Sequence, residues 1–320
     1  MWVFYSFVFL QIFIVLFTNI IQGNVFKTWT GLHQDNPRLI ETITKRFLVP
    51  PNLTKDYNLT KHQASHLNIL EGQVGQAAEV AKLFKGKKNG FFIEAGAFDG
   101  QIFSNTLLLE MNYNWTGLLI EPNPETFQEL LTKNRKSYAM EACLSAKPEV
   151  TEVSFDVAGI GFMVCCFLLR STDFEFGYIL GLFGGIINGK FKPSDVHQSR
   201  LKSRNADQTF KTALPYYKPY TSPMQCIPLT SIIKALGNPT IDYLSLDIEG
   251  SELQVLETIS FEDVDIKVIS VEVSKLGKIF DGTCTNLKYL MKRNGYTLYK
   301  TLEFDDIYVK NDFLNSIQKI

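Results

Sequence analysis

The chain has 320 residues, of which 45% are hydrophobic and 20% charged, and its formal net charge is -1. These values are typical of an ordered globular protein and exclude a disordered or collagen-like chain. Because 32 basic residues nearly balance 33 acidic ones, the protein has no overall positive field, and nucleic acid is not an expected partner.

The N-terminus is strongly apolar. Residues 2–21 are almost wholly aliphatic or aromatic, and their length is that of a helix that spans a bilayer. We predict a signal peptide or an uncleaved signal-anchor over residues 1–23, and both alternatives remain open. An uncleaved segment would attach the protein to a membrane, whereas cleavage would release a secreted chain. Residues 24–70 are then predicted to form a stem, and residues 71–320 the main domain.

Three glycosylation sequons indicate the side of the membrane on which this domain lies. Asn52, Asn58 and Asn114 are each followed by Thr two positions later, which is the acceptor pattern. The five cysteines are also compatible with an oxidising compartment. We therefore expect a luminal or extracellular domain in the secretory pathway. Cys143 and Cys226 are predicted to pair, because each ends a strand-like run.

Strand and helix patterns alternate through the main domain. A helical pattern at 37–47 and a helix at 76–84 precede it. The predicted strands cover 91–95, 117–121, 138–143, 241–247, 266–273, 296–302 and 306–309, and the predicted helices 104–111, 124–134, 251–260 and 285–293. This alternation predicts an α/β fold with a doubly wound, mostly parallel sheet. Residues 157–190 are rich in glycine and large apolar residues and do not fit the pattern, so we interpret them as an insertion or flap.

The first candidate site lies where the first strand ends, in the segment EAGAFDG. Glycines such as Gly96 and Gly100 permit close approach of the backbone to a ligand, and an acidic side chain such as Glu94 or Asp99 can hold the amino group of a cationic cofactor. Glu121 lies 21 positions beyond Gly100, where a doubly wound sheet places a carboxylate against ribose hydroxyls. The alternative is an ordinary tight turn with Glu121 as an exposed carboxylate.

The second candidate site follows the strand at 241–247. Asp247 and Glu249 lie at its carboxyl end, where they could orient a hydroxyl nucleophile or accept its proton. Alternatively, Glu249 and the Ser251–Glu252 pair start and cap the next helix. No metal site is predicted, because the four histidines all fall outside the strand ends.

Three segments of the chain resemble a known family. FIEAGAFDG, GLLIEPNP and IDYLSLDIEGSELQVLE are similar, in this order, to the hallmark segments of the FkbM-type methyltransferases (Methyltransferase 21 type). The stem pattern QDNPRLIETITKRFLVPP and the block KNRKSYAMEACLS further resemble the animal, Star-like branch. The likeness covers about residues 34–310 except 157–190, and it departs from the family pattern in placing the bulky Phe98 in the first glycine loop.

The resemblance implies a Rossmann-like fold of the S-adenosylmethionine-dependent methyltransferase type. It implies cofactor binding through Glu94, Gly96, Gly100 and Glu121, with the carboxylates of the second candidate site near the transferred methyl group. For bacterial members it implies O-methylation of a small hydroxyl or glycan substrate. For Star-like members it implies a protein of the endoplasmic reticulum, Golgi and endosomes that assists transport of cargo such as growth-factor precursors.

Overall fold

The computed structural model describes residues 29–59, 72–157, 185–187, 220–277 and 280–318. The predicted export segment and most of the apolar insertion at 157–190 lie outside these residues. Within the described ranges, no helix combines the length and the apolar character that crossing a bilayer requires.

The described residues form eleven strands, eight α-helices and one π-helical turn. The strands are β1 (Phe91–Ala95), β2 (Thr116–Ile120), β3 (Tyr138–Met140), β4 (Cys143–Leu144), β5 (Thr151–Val157), β6 (Gly185–Ile187), β7 (Tyr220–Ile227), β8 (Ile241–Leu246), β9 (Ile266–Glu272), β10 (Tyr296–Thr301) and β11 (Asp305–Lys310). The α-helices are α1 (Pro37–Thr42), α2 (Gln76–Leu83), α3 (Leu107–Tyr113), α4 (Pro124–Thr132), α5 (Leu229–Ala235), α6 (Glu252–Thr258), α7 (Cys284–Arg293) and α8 (Asn311–Gln318), and the π-helical turn Ile43–Phe47 continues α1.

The main sheet has seven strands in the order β10-β11-β9-β8-β1-β2-β3. Its five strands from β9 to β3 run parallel, whereas β11 is antiparallel to both of its neighbours. The prediction of a mostly parallel α/β sheet is therefore confirmed. The chain runs from β1 to β2 on one side of β1 and later forms β8 on the other side of β1. A crevice therefore opens at the carboxyl ends of these strands.

The residues around Pro122 show how the chain turns away from this crevice. β2 ends at Ile120, and Pro122 cannot donate a backbone hydrogen bond to continue the strand. The Asn123 side chain then accepts a hydrogen bond from the Glu125 amide, and Pro124 occupies the first turn of α4. Both are favoured ways to begin a helix, and they leave Glu121 fixed at the edge of the crevice.

A second sheet, in the order β4-β7-β5-β6, was not predicted. β5 pairs antiparallel with β7 along its whole length, and β4 pairs with the end of β7. At that end Cys143 and Cys226 form a disulfide, which confirms the predicted pairing. The disulfide joins β7 to the segment that leaves the main sheet after β3, so the second sheet forms part of one wall of the crevice.

Part of the predicted stem packs against the main domain. Leu39 and Ile43 are fully buried in the same apolar cluster as the main-sheet residues. Val49 forms an isolated bridge with Ala139 of β3. The segment that was expected to form a stem over 24–70 thus contributes Leu39 and Ile43 to the core of the main domain, and the division into stem and domain stays a prediction.

Candidate functional site

A cleft lies at the carboxyl ends of β1, β2 and β8. The residues that line it are Gln73, Ala95, Gly96, Phe98, Phe103, Asn105, Ile120, Glu121, Pro122, Ala142, Cys143, Leu144, Phe155, Asp247, Ile248, Glu249 and Ser251. Four of the seven predicted site residues, Gly96, Glu121, Asp247 and Glu249, therefore meet in one cavity.

Gly96 directly follows β1, at the point where the two candidate sites meet. Its φ of +86° is in the left-handed region, and a Cβ atom built on it would lie 1.9 Å from the main-chain oxygen of Asp247. Both features require glycine. The first glycine of the EAGAFDG segment therefore lets the turn after β1 and the turn after β8 pack directly against each other.

Glu121 is buried at the edge of the cleft, with 6% of its surface exposed. Its carboxylate accepts hydrogen bonds from the Phe98 amide at 2.7 Å and the Asn123 amide at 2.8 Å. Burial raises its pKa to about 7, although these hydrogen bonds oppose the shift. The alternative reading of Glu121 as an ordinary exposed carboxylate is therefore wrong. Two oxygens have about four acceptor positions, so acceptor capacity remains for ligand hydroxyls.

Asp247 and Glu249 follow β8 in a sharp turn, and both contribute to the cleft wall. Glu249 has a φ of +65°, and its carboxylate accepts a close hydrogen bond from the Lys275 ammonium. Burial and the negative charges of Glu272 and Glu249 raise the pKa of Asp247 well above its usual value. A carboxylate with a raised pKa in a cleft is suited to accept a proton.

Of the three residues named in the capping alternative for the second site, one stabilises the start of the helix. Ser251 precedes α6 without a side-chain capping bond. Instead the Glu252 carboxylate accepts hydrogen bonds from the Ile248 and Gly250 amides, both at 3.0 Å. Glu252 thus stabilises the turn, and Glu249 remains directed to the cleft and to Lys275.

Glu94 does not line the cleft, contrary to the expectation that it contacts the cofactor. Its fully buried carboxylate accepts hydrogen bonds from the Ser104 hydroxyl, the Asn105 amide and the Thr106 hydroxyl. Arg135 donates to the same two hydroxyls. Burial raises the pKa of Glu94, while Arg135 and these donors oppose the shift. Glu94 therefore positions the loop that precedes α3, and this loop carries Phe103 and Asn105 into the cleft wall.

Asp99 and Gly100 also lie outside the cleft lining, so their predicted role as direct cofactor contacts is not supported by the geometry. The Asp99 carboxylate accepts hydrogen bonds from the Gln101 amide at 2.9 Å and the Ile102 amide at 2.7 Å. Gly100, with a φ of +76°, packs against Leu130 of α4. Both residues therefore stabilise the chain reversal that directly follows β1.

Several cleft residues were not found from the sequence. Phe103 reaches the wall from the loop before α3, and Phe155 from the unpredicted strand β5. Phe98, Phe103 and Glu249, all in the lining, have positive φ values. Such backbone conformations are costly for non-glycine residues and cluster at functional sites. The sequence signal for Phe98 was its unusual place in a glycine loop, whereas no sequence signal identified the other two phenylalanines.

A comparison with family models identifies the domain. The model described as Methyltransferase FkbM domain matches residues 94–298, a range that begins in β1 and includes every residue of the two candidate sites. No curated protein and no solved structure matches the chain. The large, mostly parallel sheet and the cleft at its strand ends fit a methyltransferase-like fold. The chain therefore belongs to the family of proteins with an FkbM methyltransferase domain.

Proposed function

We propose that this chain binds S-adenosylmethionine in the cleft and transfers its methyl group to a hydroxyl of a small molecule or glycan. The observation that carries the proposal is the convergence of Gly96, Glu121 and Asp247 on one cavity of an FkbM domain. These residues come from the ends of β1, β2 and β8, which are adjacent in the sheet. Ligands of open α/β sheets bind at this position.

The residues of the cleft fit the proposed cofactor. The carboxylate of Glu121 lines the cleft and can accept a hydrogen bond from a ribose hydroxyl. The cleft wall also includes Ile120, Ala142 and Leu144, which supply apolar surface for an aromatic base. The acidic groups of the turn after β8 suit a cofactor that carries a positive charge.

The proposed methyl transfer requires few chemical groups from the protein itself. When bound, S-adenosylmethionine supplies an electrophilic methyl group on its sulfonium. Asp247 and Glu249 are the groups in the wall that can orient the acceptor hydroxyl and take its proton as the new oxygen–carbon bond forms. Alignment of the two reacting groups supplies much of the remaining rate enhancement.

Titration calorimetry on the purified full-length chain tests the binding step. We expect saturable heat with S-adenosylmethionine for the wild type and at least tenfold weaker binding for Glu121→Ala. Glu257→Ala, an exposed glutamate on α6, is the matched control and should bind like the wild type. Absence of heat at millimolar ligand would remove the proposal.

Transfer itself is tested with S-adenosylmethionine that carries a tritiated methyl group. Incorporation into a glycan or small-hydroxyl fraction should fall by at least tenfold in Asp247→Asn, while cofactor affinity changes less. Equal incorporation by wild type and variant would show that the carboxylate takes no part in the reaction.

A second candidate function is a secretory-pathway factor that uses the same fold to assist transport of cargo such as growth-factor precursors. It rests on the resemblance to the Star-like branch and is supported by two observations. Asn52, Asn58 and Asn114 are all exposed, so each of these asparagines lies at the surface. The disulfide between Cys143 and Cys226 is typical of an oxidising compartment.

Two measurements test this second candidate. A glycosidase shift on the protein from animal cells, together with N-terminal sequencing, reports whether the domain is luminal and whether residues 1–23 are retained. Glu121→Ala then separates the functions: intact cargo export in this variant favours the transport role, whereas lost export together with lost methylation favours the enzyme. An unglycosylated chain with reduced cysteines would contradict the secretory address.

A further inference from the structure

Three carboxylates converge beneath the turn that follows β8. Asp247 follows β8, Glu252 lies in the first turn of α6, and Glu272 ends β9. One carboxylate oxygen from each lies within 4.8 Å of the corresponding oxygens of the other two. Two oxygens bound to the same divalent cation at about 2.0–2.6 Å are at most about 4–5 Å apart, so the separations are compatible with one shared ion.

Two oxygens of this cluster have no hydrogen-bond partner among the described residues. They are Oε2 of Glu252 and Oε2 of Glu272, and both atoms are buried. The two side chains are 0% and 3% exposed. Their other oxygens are occupied: Oε1 of Glu252 by the amides of the turn, and Oε1 of Glu272 by the Ser274 hydroxyl. A buried carboxylate oxygen without a partner is costly.

The charges of the cluster are also incompletely balanced. Among the described ion pairs, Lys275 is the cation beside it; its ammonium contacts Glu249 closely and lies 3.8 Å from Oε1 of Glu272. One ammonium thus serves a group that contains four carboxyls, with Asp247 and Glu252 included. When these carboxyls are ionised, a divalent cation would balance their charge and provide partners for the two orphan oxygens.

We infer that Asp247, Glu252 and Glu272 form a binding site for a divalent cation of the Mg2+ and Mn2+ class. All three donors are carboxylate oxygens, which hard cations prefer over softer metals. Asp247 also lines the cleft, so the ion lies next to the wall where the acceptor hydroxyl is proposed to bind. The expectation that the protein has no metal site is replaced by this proposal. Its catalytic use rests on the proposed methyl transfer, but the binding itself does not.

Mn2+ titration of the chelator-treated full-length protein, without S-adenosylmethionine, tests the site. Glu252→Gln and Glu272→Gln each keep an acceptor for the existing hydrogen bonds and can place an amide donor where the unpartnered oxygen lies. We expect one saturable Mn2+ site in the wild type, with affinity reduced at least tenfold in both variants. Glu257→Gln, on the solvent side of the same helix, should bind Mn2+ like the wild type. Melting temperatures report whether each variant folds.

The result that would overturn the inference is no Mn2+ binding at millimolar concentration, or equal binding by wild type and folded variants. If either variant fails to fold, anomalous diffraction from Mn2+-soaked crystals of the wild type decides instead, because a peak among the three carboxylates supports the site and its absence excludes it. A parallel S-adenosylmethionine titration of the metal-free protein separates the two proposals. Cofactor binding without Mn2+ binding would overturn the metal site alone.

Discussion

The raised pKa of Glu121 predicts that cofactor affinity increases with pH between 6 and 8. Burial raises this pKa to about 7, whereas the free side chain titrates near 4.5. Ribose hydroxyls donate to the ionised carboxylate, so a protonated Glu121 must lose its proton before it can accept both. At pH 6 roughly one molecule in eleven has an ionised Glu121, and at pH 8 roughly ten in eleven.

The expected change in affinity follows directly from these fractions. If the ionised form alone binds, the Kd for S-adenosylmethionine falls about tenfold from pH 6 to pH 8, which corresponds to about 1.4 kcal/mol. Calorimetry at three pH values, in buffers with different ionisation enthalpies, measures both the affinity and the proton released on binding. We expect release of up to one proton near pH 6 and almost none at pH 8.

Glu121→Gln is the matched control, because it keeps the size of the side chain and removes its titration. Its affinity should be weaker and nearly independent of pH over this range. The reasoning would be refuted if wild type and variant had the same pH dependence, since the titrating group would then lie elsewhere. An affinity that decreases as pH rises would contradict the proposed hydrogen bonding.

Three further predictions concern the residues that hold the cleft together. Gly96→Ala should destabilise the protein more than Gly75→Ala. Both glycines adopt positive φ, which costs an alanine about 1–2 kcal/mol, but of the two only a Cβ at Gly96 would also clash with backbone, that of Asp247. Equal urea midpoints of the two variants would contradict this prediction. Glu94→Ala should lower the free energy of unfolding by about 3 kcal/mol, because three buried donors lose their acceptor; unchanged stability with lost cofactor binding would show a direct contact instead. The Cys143–Cys226 disulfide closes a loop of 83 residues, so its reduction should lower the free energy of unfolding by about 4.5 kcal/mol and lower Tm in a thermal scan. An unchanged Tm would show that the bridge adds no stability.

The sequence predicted the elements whose patterns are strong and local. β1, β2, β8 and β9 are short apolar runs bounded by turn residues, and each was located to within one residue at either end. The same reasoning placed Glu121 and Asp247 at strand ends, where the structure has them. It also predicted the disulfide, since the two cysteines lie in strand-like runs that the structure pairs as neighbours.

The sequence did not reveal features that depend on long-range packing. All residues of β1 after Phe91 are buried. The strand therefore lacks the polar–apolar alternation that distinguishes the two faces of a half-exposed strand. For this reason its sequence did not indicate that the Glu94 side chain is directed into the protein. Phe155 enters the cleft through the second sheet, whose paired strands β5 and β7 are separated by 62 residues along the chain. The burial of Leu39 depends on a surface of the sheet that is formed much later in the chain.

The sequence also did not show which acidic side chains lie close together in the folded protein. Glu252 and Glu272 are 20 positions apart in the sequence, and each belongs to a segment with an ordinary structural reading. Parallel pairing of β8 with β9 brings the ends of these strands together. A carboxylate cluster of this kind is recognised only after the sheet order is known.

The central claim is that the cleft at the ends of β1, β2 and β8 is a cofactor site. A crystal structure of the full-length protein with S-adenosylhomocysteine, the stable product of methyl transfer, tests it most directly. We predict a ligand whose ribose hydroxyls lie within hydrogen-bond distance of the Glu121 carboxylate and whose sulfur faces Asp247. A ligand bound elsewhere, or an empty cleft at saturating concentration, would contradict the account.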